Sequence, residues 1–294
     1  MPNLFRALML YVPEPSLAAL AKERGITIST KTKRIVAEEL VQSLEAAVLW
    51  QIVTHSVRSG RSVVSWYLPQ QPVAELTRDS VQDSLITQYD ANPFEIDLEF
   101  ELTSVPEVAS GMWLTDDVAL LELIRGKEIY EWDRLNLRPR LRTMFSRAIL
   151  RMGASFLECW GDSESAQASG RRLGLILGLG DMQQVTLNDA ELDQLTSNLA
   201  ARITLARVKD DSGNYDTYEV TADPMIGDLQ QVQDYQTGIA GKPSIRRVIE
   251  FDPPSGGPPV RLEITRSSGF WFRGYVAEEV VDNVLSVVRA LKGF

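Results

Sequence analysis

The last ninety residues carry the pattern that most narrows what this chain can fold into. Arg202–Val208 and Tyr215–Thr221 are β-branched-rich runs flanking Asp-Asp-Ser-Gly-Asn, which has hairpin turn chemistry. Ile245–Phe251 and Val260–Thr265 flank a second loop, Pro253-Pro254-Ser255-Gly256-Gly257-Pro258-Pro259, and Phe270–Val276 reads as one more strand. An amphipathic helix closes the segment. Val280, Val281, Val284, Leu285, Val287, Val288 and Leu291 form its apolar stripe. Glu278 and Glu279 suit its amino end; Arg289, Lys292 and Gly293 suit its carboxyl end. Strands closed by one packing helix imply an α+β unit over residues 201–294.

Residues 1–60 read as a helical module. Leu17, Leu20 and Ala21 recur at helical spacing and Gly25 stops the element. Thr30 is placed to cap a second helix carrying Ile35, Val36, Leu40 and Leu44, and a third apolar stretch runs from Ala46 to Val57. Leu4–Val12 reads as a structural strand or helix start, because Ala7–Val12 is short for a signal core and Pro13-Glu14-Pro15 follows. No apolar run reaches the eighteen or so residues a membrane span needs. A soluble cytoplasmic protein without membrane contact is expected.

The middle, residues 61–200, reads as mixed. Ser62–Leu68 favours strand. Glu95, Asp97, Glu99 and Glu101 alternate strictly with Ile96, Leu98, Phe100 and Leu102, predicting a strand with one acidic, solvated face. Helices are predicted over Asp116–Gly126, from Pro139 to Met152, and over Asn188–Ala201. The whole is therefore α+β: a helical amino-terminal module, a mixed centre and a strand-rich carboxyl-terminal unit. No internal repeat is evident.

Composition then removes several chemistries. One cysteine and one histidine in 294 residues exclude Cys/His zinc sites and a disulfide framework. Cys159 stands between Glu158 and Trp160 and reads as a buried structural thiol; His55 is the one imidazole that could serve as its base. The net charge of −10 argues against coating nucleic acid over the whole surface, while leaving local basic sites open. That excess is concentrated: residues 61–120 carry −9, and residues 121–160 carry +3.

Four motifs carry candidate chemistry. The alternating carboxylates Glu95, Asp97, Glu99 and Glu101 offer oxygen ligands to Mg²⁺ or Ca²⁺, though only neighbouring pairs, about 7 Å apart, can share an ion. The plainer reading is a solvated sheet face kept from aggregating by like charge, with an acidic docking face for a basic partner as a further alternative. Gly170, Gly174 and Gly178 at spacing four lack the Gly-Lys-Ser/Thr of a phosphate loop and favour close helix packing, with Gly178 and Gly180 ending the element. Asp210–Asp216 shares composition with a calcium loop, lacks its ligand order, and reads as a turn. Arg140, Arg147 and Arg151 share one face of the helix predicted after Pro139, a donor-rich surface for phosphates or carboxylates unless the fold pairs them internally.

Ser16–Ile26 followed by Ser29–Leu40 resembles a SAP or Rho-amino-terminal-like helix–turn–helix: a leucine-bearing helix, Gly25-Ile26, a Ser/Thr-Lys turn and a second amphipathic helix. The resemblance implies backbone contact with DNA or RNA through Lys31, Lys33 and Arg34, while Glu38-Glu39 depart from a basic face. Three functions stay open at this point. The first is a non-enzymatic binding protein for nucleic acid or another polyanion. The second is a metal-dependent nuclease or phosphodiesterase using the acidic strand, and the third is a protein-assembly adaptor. No cofactor is implied, and the oligomeric state is not readable.

Overall fold

The computed structural model describes residues 2–26, 32–57, 63–133, 136–209, 217–222, 227–232, 235, 242–266, 269–274 and 276–294. Four helices come first: α1 (Pro2–Tyr11), α2 (Glu14–Glu23), α3 (Lys33–Ser43) and α4 (Ala46–Val57). After β1 (Val63–Pro69) come α5 (Arg78–Tyr89), β2 (Glu107–Thr115), β3 (Val118–Asp133), β4 (Asn136–Arg151), β5 (Leu157–Gly161) and α6 (Ser163–Ile176). Then follow β6 (Met182–Gln184), α7 (Asp189–Asn198), β7 (Arg202–Lys209), β8 (Thr217–Thr221), β9 (Ser244–Phe251), β10 (Val260–Thr265), β11 (Gly269–Phe272) and α8 (Glu278–Lys292). The α+β class is as expected.

Among the described residues eleven strands join one antiparallel sheet in the order β2-β3-β4-β5-β1-β11-β10-β9-β7-β8, with β6 paired to β1. β1 is the middle strand: Val64 pairs with Trp160 of β5 on one side and Phe270 of β11 on the other. The two flanks repeat one another in topology. One runs α5-β2-β3-β4-β5-α6; the other runs α7-β7-β9-β10-β11-α8, with β8 added outside. Both inner strands, β5 and β11, lie antiparallel to β1, and the helix pairs cover opposite faces. A half-turn about β1 therefore superposes the two topologies, a repeat that no sequence period announces.

Two cores follow from this arrangement. On one face, Leu8, Leu17, Leu40 and Leu49 of the first helices and Val280, Val284 and Val288 of α8 pack on Trp66, Trp160, Ile249 and Phe270. On the other, α5 (Val81, Leu85) and α6 (Ala166, Leu173) cover Tyr67, Leu121, Leu150 and Cys159. That second core contains no residue of β7 to β11. The carboxyl-terminal strands thus have one face packed and one carrying charge.

Three predicted elements are corrected. Asp116–Gly126 and Pro139–Met152 are strands, β3 and β4, paired residue for residue from Val118↔Arg151 to Asp133↔Asn136. Each is buried on both faces near its base, which erases the period of two and leaves apolar runs that mimic helix. Glu95–Leu102 belongs to no strand. It lies along the sheet margin, held by Leu98 N–H to the Ala109 carbonyl (2.8 Å), without a ladder to make its alternation a strand. The glycines act as expected. A Cβ on Gly170 would stand 2.8 Å from the Tyr67 ring, and one on Gly174 would stand 2.7 Å from the Gly180 carbonyl. Cys159 is buried, and burial pushes its thiol pKa well above the ordinary value. Thr30 and the turn Asp210–Asp216 lie outside the described residues, and α3 is preceded by Thr32 instead.

Candidate functional site

β3 and β4 are each sixteen residues long, but their neighbours are short. β2 last pairs at Glu107↔Ile124, and β5 pairs only from Arg147↔Trp160. Beyond these points the two strands continue as a two-stranded ribbon. At about 3.4 Å per residue, the nine residues 125–133 reach about 30 Å. Pro139 fits here because each ribbon strand has a single neighbour, so its missing N–H costs at most one ladder bond.

The amino end of α6 braces the ribbon's base. Arg125 Nε donates to Ser165 Oγ (3.0 Å), Arg125 and Lys127 both reach Glu164 (3.0 and 2.5 Å), and Ser146 meets Ser169 at 2.7 Å. Asp162, the N-cap, accepts from Ser165 N–H at 3.1 Å. Burial pushes its pKa up, but Ser165, Arg125 and Lys127 outweigh that and hold it below the ordinary carboxylate value.

The register sorts the ribbon into two faces. Ile124 opposes Phe145, Glu128 opposes Leu141 and Tyr130 opposes Pro139, and these share one face. Phe145, Leu141 and Tyr130 are 67%, 52% and 60% exposed. Leu102 closes over Gly126 on this side, and the Thr103 carbonyl accepts from Gly126 N–H at 2.5 Å. The opposite face presents Arg125, Lys127 and Ile129 against Arg142 and Arg140. The outer edge of β4 before Arg147 has no strand beside it among the described residues. An apolar strip, a basic strip and an open edge thus meet on one projecting element.

Next to the ribbon's root, a polar row crosses the sheet beneath α1: Ser110, Glu122, Arg147 and Trp160 oppose one another in register. Glu122 accepts from Ser110 Oγ (2.6 Å), Arg6 Nη2 (3.0 Å) and the Tyr11 hydroxyl. Burial, then the Glu122 charge, push the Tyr11 pKa above its usual range. Arg147 lies over the rings of Tyr11 (5.4 Å) and Trp160 (5.6 Å). Glu158 has no exposed surface and accepts from the indoles of Trp160 (2.7 Å) and Trp66 (3.3 Å). A cavity of about 290 Å³ opens beside Arg6 and Glu122, but those groups satisfy one another.

The sequence-derived basic residues do not converge. Lys31 lies outside the described residues. Lys33 Nζ donates to the Met9 carbonyl at the end of α1 (2.5 Å), and burial lowers its pKa. Arg34 pairs with Glu38 one turn on, at 2.9 Å. A strand's period of two separates Arg140 from Arg147 and Arg151, so the common face read from a helix does not exist. Arg140 sits on the ribbon, Arg147 in the polar row, and Arg151 on Asp282 of α8 at 3.0 Å. Asp97 pairs with Arg6 at 2.5 Å, and Glu95, Glu99 and Glu101 are exposed. Among the described residues, no three acidic or imidazole groups are placed to hold a metal ion. Sequence reading missed the ribbon; the length of the mixed run around Pro139 was its signal.

Among the described residues, no single helix is long and apolar enough to cross a membrane. Compared with family models and with curated proteins, the chain matches none.

Proposed function

We propose that this chain is a non-enzymatic assembly protein whose β3–β4 ribbon captures an extended protein segment by strand addition. The observation that carries this reading is the apolar strip Tyr130, Leu141 and Phe145 beside the outer edge of β4 before Arg147, which no strand covers among the described residues. Exposed apolar side chains gathered on one face mark an interaction surface, and an open edge is a template for another strand. Alternation across the pleat dictates the partner. Residues over the Leu141 side must be apolar, and those over the Arg140 and Arg142 side acidic. Polyanion binding by Arg147 and Arg151 has less support, since both are engaged within the fold.

The chain's own Glu95–Leu102 has the required alternation, so a synthetic octapeptide of that sequence is the first probe. Fluorescence anisotropy should show saturable binding that is lost with Leu141→Ser plus Phe145→Ser. A scrambled peptide of equal charge should not bind. Equal binding of scrambled and native peptides, or no effect of the double substitution, would rule the reading out.

A further inference from the structure

The charged face of the carboxyl-terminal strands holds a cavity of about 360 Å³, remote in sequence from the ribbon. Arg202, Arg261 and Arg273 line it, with Thr204, Thr221 and Gly227. Two carboxylates among these arginines are withdrawn from solvent, Glu250 at 7% and Glu263 at 6% exposure. Glu250 accepts from Arg261 Nε at 2.7 Å and from Arg202. Glu263 accepts from Arg273 Nε at 2.8 Å and from Arg246 Nη2 at 3.1 Å. Each buried carboxylate therefore holds two guanidinium groups in place.

The guanidiniums themselves reach solvent: the side chains of Arg202, Arg261 and Arg273 are 50%, 59% and 33% exposed. Each has five N–H donors, more than the carboxylates occupy. Arg273 is further fixed over the Trp271 ring at 5.2 Å. Gly227, at φ +71°, leaves room for Arg202, whose Nη1 would lie 3.2 Å from a Cβ there. Among the described residues the cavity wall has three guanidiniums against one carboxylate, and its lining also includes apolar Leu205, Ala222 and Val248.

We propose that this cavity binds a small phosphate-bearing molecule of nucleotide size. Planar guanidinium forks match phosphate oxygens in pairs, and preformed anchoring by buried carboxylates spares the ordering cost of long side chains. The volume falls at the small end of ligand pockets, and the apolar lining suits an organic moiety beside the phosphate. The chain's net charge of −10 disfavours a long polyanion at the same place.

The test is calorimetry on the full chain with pyrophosphate, ADP, citrate and a single-stranded oligonucleotide, on wild type, Arg261→Gln and Arg273→Gln. Pyrophosphate and ADP should bind, and each substitution should weaken them about tenfold to a hundredfold, the worth of hydrogen bonds to a charged group. Arg261→Gln leaves Glu250 bonded to Arg202, so its fold should persist. Should it not, Arg261→Lys keeps the charge, loses the fork and is read the same way. Leu141→Ser plus Phe145→Ser should bind ADP as wild type does, which separates this site from the ribbon. No binding at millimolar phosphate probe, binding indifferent to the arginine substitutions, citrate bound as well as pyrophosphate, or tighter binding of the oligonucleotide than of ADP would each overturn the proposal.

Discussion

Replacing Gly170 or Gly174 with alanine sets two effects of opposite sign against each other. Both glycines lie inside α6, where alanine gains about 1 kcal/mol of helix propensity. Against this stands the fit of the helix on the sheet. A Cβ on Gly170 would meet three Tyr67 ring carbons at 2.8, 2.9 and 3.0 Å. Tyr67 is 1% exposed, and β1 is paired on both sides there, to Leu157 and Gln184, so the ring has nowhere to go. At Gly174 the added Cβ would meet the Met182 side chain first and then the Gly180 backbone carbonyl at 2.7 Å, the obstacle that cannot rotate away. Overpacking of this kind costs about 1–3 kcal/mol, and an enclosed ring at one site and a backbone carbonyl at the other place both in the upper part of that range. The net is a loss of about 1–2 kcal/mol for each substitution. With about 2–4 °C per kcal/mol, the thermal midpoint should fall by roughly 2–8 °C. The two losses should be less than additive, because one outward shift of α6 relieves both clashes. Thermal unfolding followed by circular dichroism measures this, with exposed Gln167→Ala on the same helix as the control expected within about 0.5 kcal/mol. A midpoint raised by either glycine substitution would refute the argument and return these glycines to a loop function.

Three further outcomes are expected. Arg147→Met should destabilise by about 2–3 kcal/mol by removing the cation between Glu122 and Glu158, whereas Arg142→Met on the ribbon should stay within about 0.5 kcal/mol; urea unfolding distinguishes them, and Glu158→Gln should recover part of the loss. Glu191 joins α7 to α8 through Lys292 (2.6 Å); burial pushes its carboxyl up, but Lys292 and the Asn188 N–H together outweigh burial and hold it below the ordinary 4.5. A depressed pKa gives stability that is present above 4.5 and lost as pH falls below it, so an acid titration of the midpoint should be shallower in Glu191→Gln. Cys159 should react with a thiol reagent only as fast as the protein opens, measured by reagent uptake across a urea series.

The carboxyl-terminal half was legible because its strands have one wet face. Arg261, Glu263 and Thr265 alternate with Leu262 and Ile264 while only the latter pack, so the period of two survives in the sequence. α8 was legible for the same reason in helical form. The amino-terminal strands are sandwiched. Ala148, Ile149 and Leu150 are all buried, two facing α6 and one facing α1–α4, and consecutive apolar residues carry no period. Glu95–Leu102 shows the converse: alternation states what a segment can do in a sheet but does not supply a neighbour. The candidate site was hidden because a ribbon is defined by where adjacent strands stop, at Ile124 and Arg147, which is a property of β2 and β5. The arginines of the second cavity come from β7, β10 and the position just after β11, and only the sheet register collects them.

The central position of β1 bears on how the chain is made. Its first pairing, with β5, waits about ninety residues; its other edge waits for Met182–Gln184 and then for Phe270 and Trp271. At about 5–20 residues per second, a nascent chain presents Val64 and Trp66 on an open edge for roughly 10–40 s before β11 emerges from the ribosome. The seam that joins the halves is therefore closed last, by a contact two residue pairs wide among the described residues. Synthesis speed downstream of residue 70, rather than the sequence of β1 itself, sets how long that seam stands open to other chains.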